Sequence, residues 1–162
     1  MKTVLKFSGV IACIFALIAF IMVLACDAVR WEVTLLGVTT VSYLKGTTAM
    51  FGGDHVNLAP AALVAFILLI VALVIILAGI ILPLAKVTAL DKVWGILNLI
   101  AVIALIFAGV LILCTKNSYC DANKLSNTNF DLTVGYAFAG IFAIVAGIFA
   151  VLPTCANLAS KK

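Results

Sequence analysis

Cysteine is the side chain through which this chain could do covalent chemistry. Of the five cysteines in 162 residues, Cys26, Cys114 and Cys120 flank or occupy polar segments, Cys13 lies inside an apolar run, and Cys155 stands near the carboxyl terminus. If the polar segments face an oxidising exterior, three thiols there allow one disulfide and leave one cysteine over. Cys114 and Cys120 share a segment and are the expected pair; Cys26 bonded to either would instead tie one polar segment to another. Thiol–disulfide catalysis uses a C-x-x-C pair, in which a thiolate of lowered pKa has its resolving partner within reach. Here the spacing is Cys114-x5-Cys120 and no C-x-x-C occurs, so a membrane thiol–disulfide oxidoreductase is the weakest of the readings.

Cys26 has a further chemistry open to it. Val23-Leu24-Ala25-Cys26 approximates a lipobox, in which a cysteine behind a small residue is lipidated and the preceding segment cleaved. The competing expectation is an uncleaved helix, because a secretory apolar region is about 7–15 residues and the run Phe7–Ala25 is longer. His55 is the one histidine, and with only Asp54 beside it the loop lacks the ligands of a metal site. Gly46 and Gly52 are not followed by the Lys-Ser/Thr of a phosphate loop. The stretch Lys45–His55 reads as a flexible return loop with an interfacial Phe51, or as backbone that approaches a ligand. No cofactor is expected.

The elements that position these residues are set by four runs without Asp, Glu, Lys, Arg or His: Phe7–Ala25, Pro60–Leu84, Val93–Leu113 and Leu132–Leu152. A helix crossing a hydrocarbon core about 30 Å thick needs about 20 apolar residues. The expected fold is one integral membrane domain, an all-α transmembrane four-helix bundle. Its outer loops are 26–59 and 114–131, and its inner loop is 85–92. With a 67% hydrophobic composition and a net charge of +4, the basic residues sit at the span ends and give no support to nucleic-acid binding. Lys2, Lys6, Lys86, Lys92, Lys161 and Lys162 share one side, while Arg30, Lys45, Lys116 and Lys124 on the other are offset by acids. The positive-inside rule then puts both termini in the cytoplasm of a cell-membrane protein.

Loop 26–59 is too long for a turn and reads as β. Val29, Trp31, Val33 and Leu35 alternate with Arg30, Glu32 and Thr34, a period of two. The run Val38–Leu44, with Val41 and Tyr43, follows Gly37, which can take the positive φ of a tight turn. The expected hairpin or small sheet needs cover from the third loop, from lipid headgroups or from another copy, since a lone hairpin is marginal in water.

Within the spans, small residues recur on one face. Gly135, Ala139, Ala143 and Gly147 repeat every four residues, as do Ser8, Ala12 and Ala16, and also Ala104 and Ala108; Ala65, Ala72 and Gly79 repeat every seven. Such faces let helices approach closely in lipid, within a bundle or between copies. The Phe138, Phe142 and Phe149 side is expected to face lipid or a partner. Asn98 is the most polar side chain at depth, where it would hydrogen-bond across helices or ring a pore. No Asp, Glu, Lys, Arg or His lies within a span, which disfavours pumps and relays.

This order of a β-rich first outer loop, a short inner loop and a short second outer loop resembles the claudin-like tetraspan proteins. Trp31 stands there without the Gly-Leu-Trp and paired cysteines of the claudin signature. Lys45–Gly52, a Lys-Gly-x4-Phe-Gly stretch, is similar to one in small four-span proteins of bacteria. The first resemblance implies lateral association through outer loops, and the second a bacterial cell-membrane location. Together the residues lead to a non-enzymatic membrane protein that self-assembles through Val29, Trp31, Val33, Leu35, Val41 and Tyr43 and through its helix faces. Its expected partners are lipids, further copies and other membrane proteins. A small channel or transporter subunit is the alternative.

Overall fold

The computed structural model describes residues 2–84 and 91–159, with side chains for 7–81, 94–152, 154 and 155. Most of the expected inner loop, including Lys86, and the terminal Lys161 and Lys162 lie outside the described residues. Four long helices, α1 (Lys2–Ala25), α3 (Pro60–Leu84), α4 (Asp91–Leu113) and α6 (Val134–Ala159), form the bundle. Each is long and apolar enough to cross a membrane. α1 packs on α6, α6 on α4, and α4 on α3, and a lesser contact between α3 and α1 closes the ring.

Packing inverts the pattern of a water-soluble bundle. Ala12, Ala16 and Ala19, Ala62, Ala65 and Ala72, Ala101, Ala104 and Ala108, and Ala139, Ala143 and Ala146 are all buried. Large residues such as Ile14, Leu17, Val74, Phe107 and Ile148 are exposed. In lipid nothing is gained by hiding Leu or Ile, whereas small faces let backbones close on one another. The inverted packing fits a multi-pass membrane protein.

The small-residue stripes are used within the chain. Ala139 and Ala143 are fully buried, a Cβ on Gly147 would lie 2.8 Å from Ile106, and one on Gly135 would lie 2.8 Å from the Cys26 sulfur. The phenylalanine side of α6 is likewise only partly free, because Phe142 and Phe149 lie 5.6 and 6.0 Å from Phe15 of α1; Phe138 is exposed. The Ser8 hydroxyl donates to the Phe149 carbonyl and pins the same two helices. Asn98 is half-buried.

Between α1 and α3 the chain forms β1 (Asp27–Leu35), β2 (Val38–Lys45) and the short helix α2 (Gly46–Phe51). Between α4 and α6 it forms α5 (Thr115–Ala122) and β3 (Phe130–Leu132). The expected hairpin is present, and its turn is Leu36-Gly37 with φ of 50° and 83°. Two consecutive positive φ values make a type I′ turn, whose twist matches that of the strands.

Three expectations are corrected. The return segment after Lys45 is a helix rather than a flexible loop, with Gly46, Ala49 and Met50 buried. It seats there because Gly46 has no side chain: a Cβ would lie 2.2 Å from the Val23 carbonyl oxygen and 2.9 Å from that of Cys26. Leu132 belongs to β3 and not to the fourth span, which starts at Val134. The expected Cys114–Cys120 disulfide is absent, as is its Cys26 alternative, and all five cysteines are free thiols. Helix α5 fills the interval between Cys114 and Cys120. Six residues at 1.5 Å each separate their Cα atoms by about 9 Å along the axis, beyond the roughly 7 Å reach of a disulfide.

A candidate association surface on the sheet

The three strands lie in the order β2-β1-β3, antiparallel throughout. β1 leaves the end of α1 and β3 runs into the start of α6, so the sheet stands on one pole of the bundle. Alternation gives it two faces. Val29, Trp31, Val33 and Leu35 share one with Leu44, Ser42, Thr40 and Val38 of β2 and with Leu132 and Phe130 of β3. Arg30, Glu32 and Thr34 share the other with Tyr43, Val41, Thr39 and Asp131. The residues expected to act together are thereby divided: Val41 and Tyr43 lie on the face opposite Val29, Trp31, Val33 and Leu35.

Cover is confined to the base of the sheet. Val29 and Leu44 are buried. The Trp31 ring rests 5.6 Å from Phe130, which lies 6.0 Å from Tyr119 of α5. Beyond Trp31 every residue from Glu32 to Val41 is exposed, and Leu35, Leu36 and Val38 reach 70%, 104% and 66%. β3 is only three residues long and ends the cover there. Beside it Arg30, Trp31, Glu32, Thr128, Asn129 and Asp131 line a half-open hollow of about 220 Å³.

On the opposite face Asp131 lies 3.6 Å from Arg30 and 4.0 Å from Lys116. These exposed pairs contribute at most about 1 kcal/mol each. A stronger tie between the two loops is amide-based. The Asn123 Oδ1 accepts from Asn57 N at 2.8 Å, and its Nδ2 donates to the Asn57 and Tyr119 carbonyls at 3.1 and 3.0 Å. Asn57 Nδ2 donates to the Ala122 carbonyl. Ser118 Oγ accepts from Ala61 N, satisfying one of the free donors in the first turn of α3. The sequence offers a tie between the loops only through the Cys26 alternative, and it does not point to these residues; Asn123, just past the end of α5, is the one signal for them.

The remaining residues capable of chemistry are dispersed. Cys120 is buried on α5, and burial raises its thiol above the ordinary range, with Lys116 lowering it and Asp121 raising it further to a lesser degree. Cys114 is exposed, and Cys26 packs its sulfur against Gly135. Asp54 and His55 form the exposed tip of a tight turn held by Gly53 and Val56. Among the described residues no three His, Cys, Asp or Glu side chains gather as metal ligands. Comparison with protein-family models and with curated protein sequences returns no match.

Proposed function

We propose that the chain is a cell-membrane protein with both termini in the cytoplasm, whose exterior sheet associates with further copies and scaffolds the membrane without catalysis. One observation carries this reading: the distal half of the hairpin, Val33 to Val41, is uncharged, apolar or β-branched at most positions, and uncovered by its own chain. Leu36 sharpens the point. Type I′ turns favour Asn, Asp or Gly at that position, yet a leucine stands there fully exposed at positive φ. An apolar side chain at such a tip is better suited to a partner than to water. The small-residue helix faces are occupied within the bundle, which concentrates association on the sheet. The orientation is supported by Lys2, Lys6, Lys86, Lys92, Lys161 and Lys162.

The test is oligomeric state in lipid. A photo-cross-linker at Leu35 should give a ladder of multiples of the 17.0 kDa chain, and Leu35→Ser with Leu36→Ser should collapse it to the monomer. A chain that stays monomeric at high concentration, with no ladder, overturns the reading.

A further inference from the structure

We infer that two copies in facing membranes join through the outer edge of β2, antiparallel, with Val41 against Val41 of the second copy. The inference rests on the association reading above and adds to the tip contact a second one along the strand edge, with its partner and register.

The backbone dictates the register. In a hairpin closed by a two-residue turn, the pair flanking the turn exchanges both hydrogen bonds, and pairs then alternate. The flanking pair here is Leu35 and Val38, so Val38, Thr40, Ser42 and Leu44 direct their amide groups toward β1. Thr39, Val41 and Tyr43 direct theirs outward, along an edge that no strand among the described residues pairs with. A two-fold axis through Val41 sets Thr39 of one copy against Tyr43 of the other. Every outward group between them is then paired.

Among the described residues nothing guards this edge from Thr39 to Tyr43. Natural edge strands are blunted by charge, proline, bulges or brevity. β2 runs eight residues with no proline, and its one charge is its last residue, Lys45; the sheet's register shift lies at Asp27/Val29, beside the last residues of β2. Tyr43 and Val41 add exposed side chains on the same face as Thr39, the aromatic and β-branched types that make good cross-strand pairs.

Geometry also chooses the side from which the partner comes. An edge related to itself by a two-fold axis along the strand would oppose donor to donor, so self-pairing is antiparallel and its axis lies across the strand. β1 rises from the end of α1, β3 descends into α6, and exposure increases from Val29 to Leu36, so the strands run away from the bundle. A two-fold axis normal to one membrane would leave such strands running the same way. Antiparallel pairing therefore takes its second copy from the opposite membrane. A nine-residue β1 extends about 30 Å, enough for two hairpins to overlap.

The experiment uses the full chain in two vesicle populations carrying different fluorophores. Protein-bearing vesicles should tether, and Val41→Cys should yield a dimer whose link maps to position 41. Val41→Pro removes an outward N–H without touching a β1–β2 bond, and tethering should fall to the protein-free background while hydrogen exchange shows the hairpin intact; Val41→Thr should tether normally. Tethering that survives Val41→Pro, or binding of protein-bearing to protein-free vesicles, overturns the edge contact. Association confined to a single vesicle overturns this inference and leaves the association reading standing. No association in either arrangement removes both.

Discussion

Gly109 of α4 and Gly140 of α6 meet backbone to backbone. A Cβ on Gly109 would lie 2.6 Å from the Gly140 carbonyl oxygen, and one on Gly140 would lie 3.0 Å from the Gly109 carbonyl oxygen. The Ile144 and Leu113 side chains close in on the same two glycines, at 2.5 and 2.9 Å from where a Cβ would stand, and the neighbouring Ala108, Ala139 and Ala143 are fully buried.

Substitution at that crossing should loosen the bundle. Gly109→Ala or Gly140→Ala is expected to cost about 1–3 kcal/mol by overpacking, read as a lower unfolding temperature in detergent. Gly9→Ala, where a Cβ meets nothing within 4 Å, should be neutral or stabilising. The double substitution at the crossing should cost less than the sum, because both methyls push the same helices apart.

Asn123→Ala removes the acceptor of Asn57 N and the donor to two carbonyls. The expected loss is about 1–3 kcal/mol, localised to α5 and the start of α3. Amide exchange at Asn57 and Ala61 should quicken while the centres of the long helices stay protected.

Tyr136 is fully buried near the start of α6, and among the described residues no group stands in hydrogen-bond geometry to its hydroxyl. The Thr115 hydroxyl, whose proton goes to the Leu111 carbonyl, keeps its lone pairs free and is the acceptor beside it. Removing an unsatisfied hydroxyl spares its desolvation penalty, so Tyr136→Phe should leave the unfolding temperature unchanged or raise it. A clear drop would show that the hydroxyl is bonded.

Thiol chemistry should separate Cys114 from Cys120. All five thiols should alkylate in denaturant without reductant, since none is bridged. In the folded chain exposed Cys114 should react with maleimide well before Cys120. Burial raises the Cys120 pKa, so at pH below the ordinary thiol range less of it is thiolate. Its rate should rise with pH until the raised pKa is passed, a profile followed by mass spectrometry.

Composition and period alone determined the four apolar helices, the hairpin over Val29–Leu44 and the turn at Gly37. Each is a local decision: lipid-compatible length for the helices, period-two alternation for the strands, and a tolerated positive φ for the turn. Tertiary structure decided the rest. Gly46 reads as a loop glycine until the carbonyls of Val23 and Cys26 are beside it. Cys114 and Cys120 read as a disulfide until α5 holds them apart. Phe130–Leu132 becomes a strand only because β1 offers it an edge, and by joining at the base it leaves the outer half of the hairpin uncovered. The division of Val41 and Tyr43 from Trp31 follows from pairing register, which is a property of two strands together and of neither sequence alone. Contacts between residues far apart in the chain settle such questions, and local pattern carries no record of them.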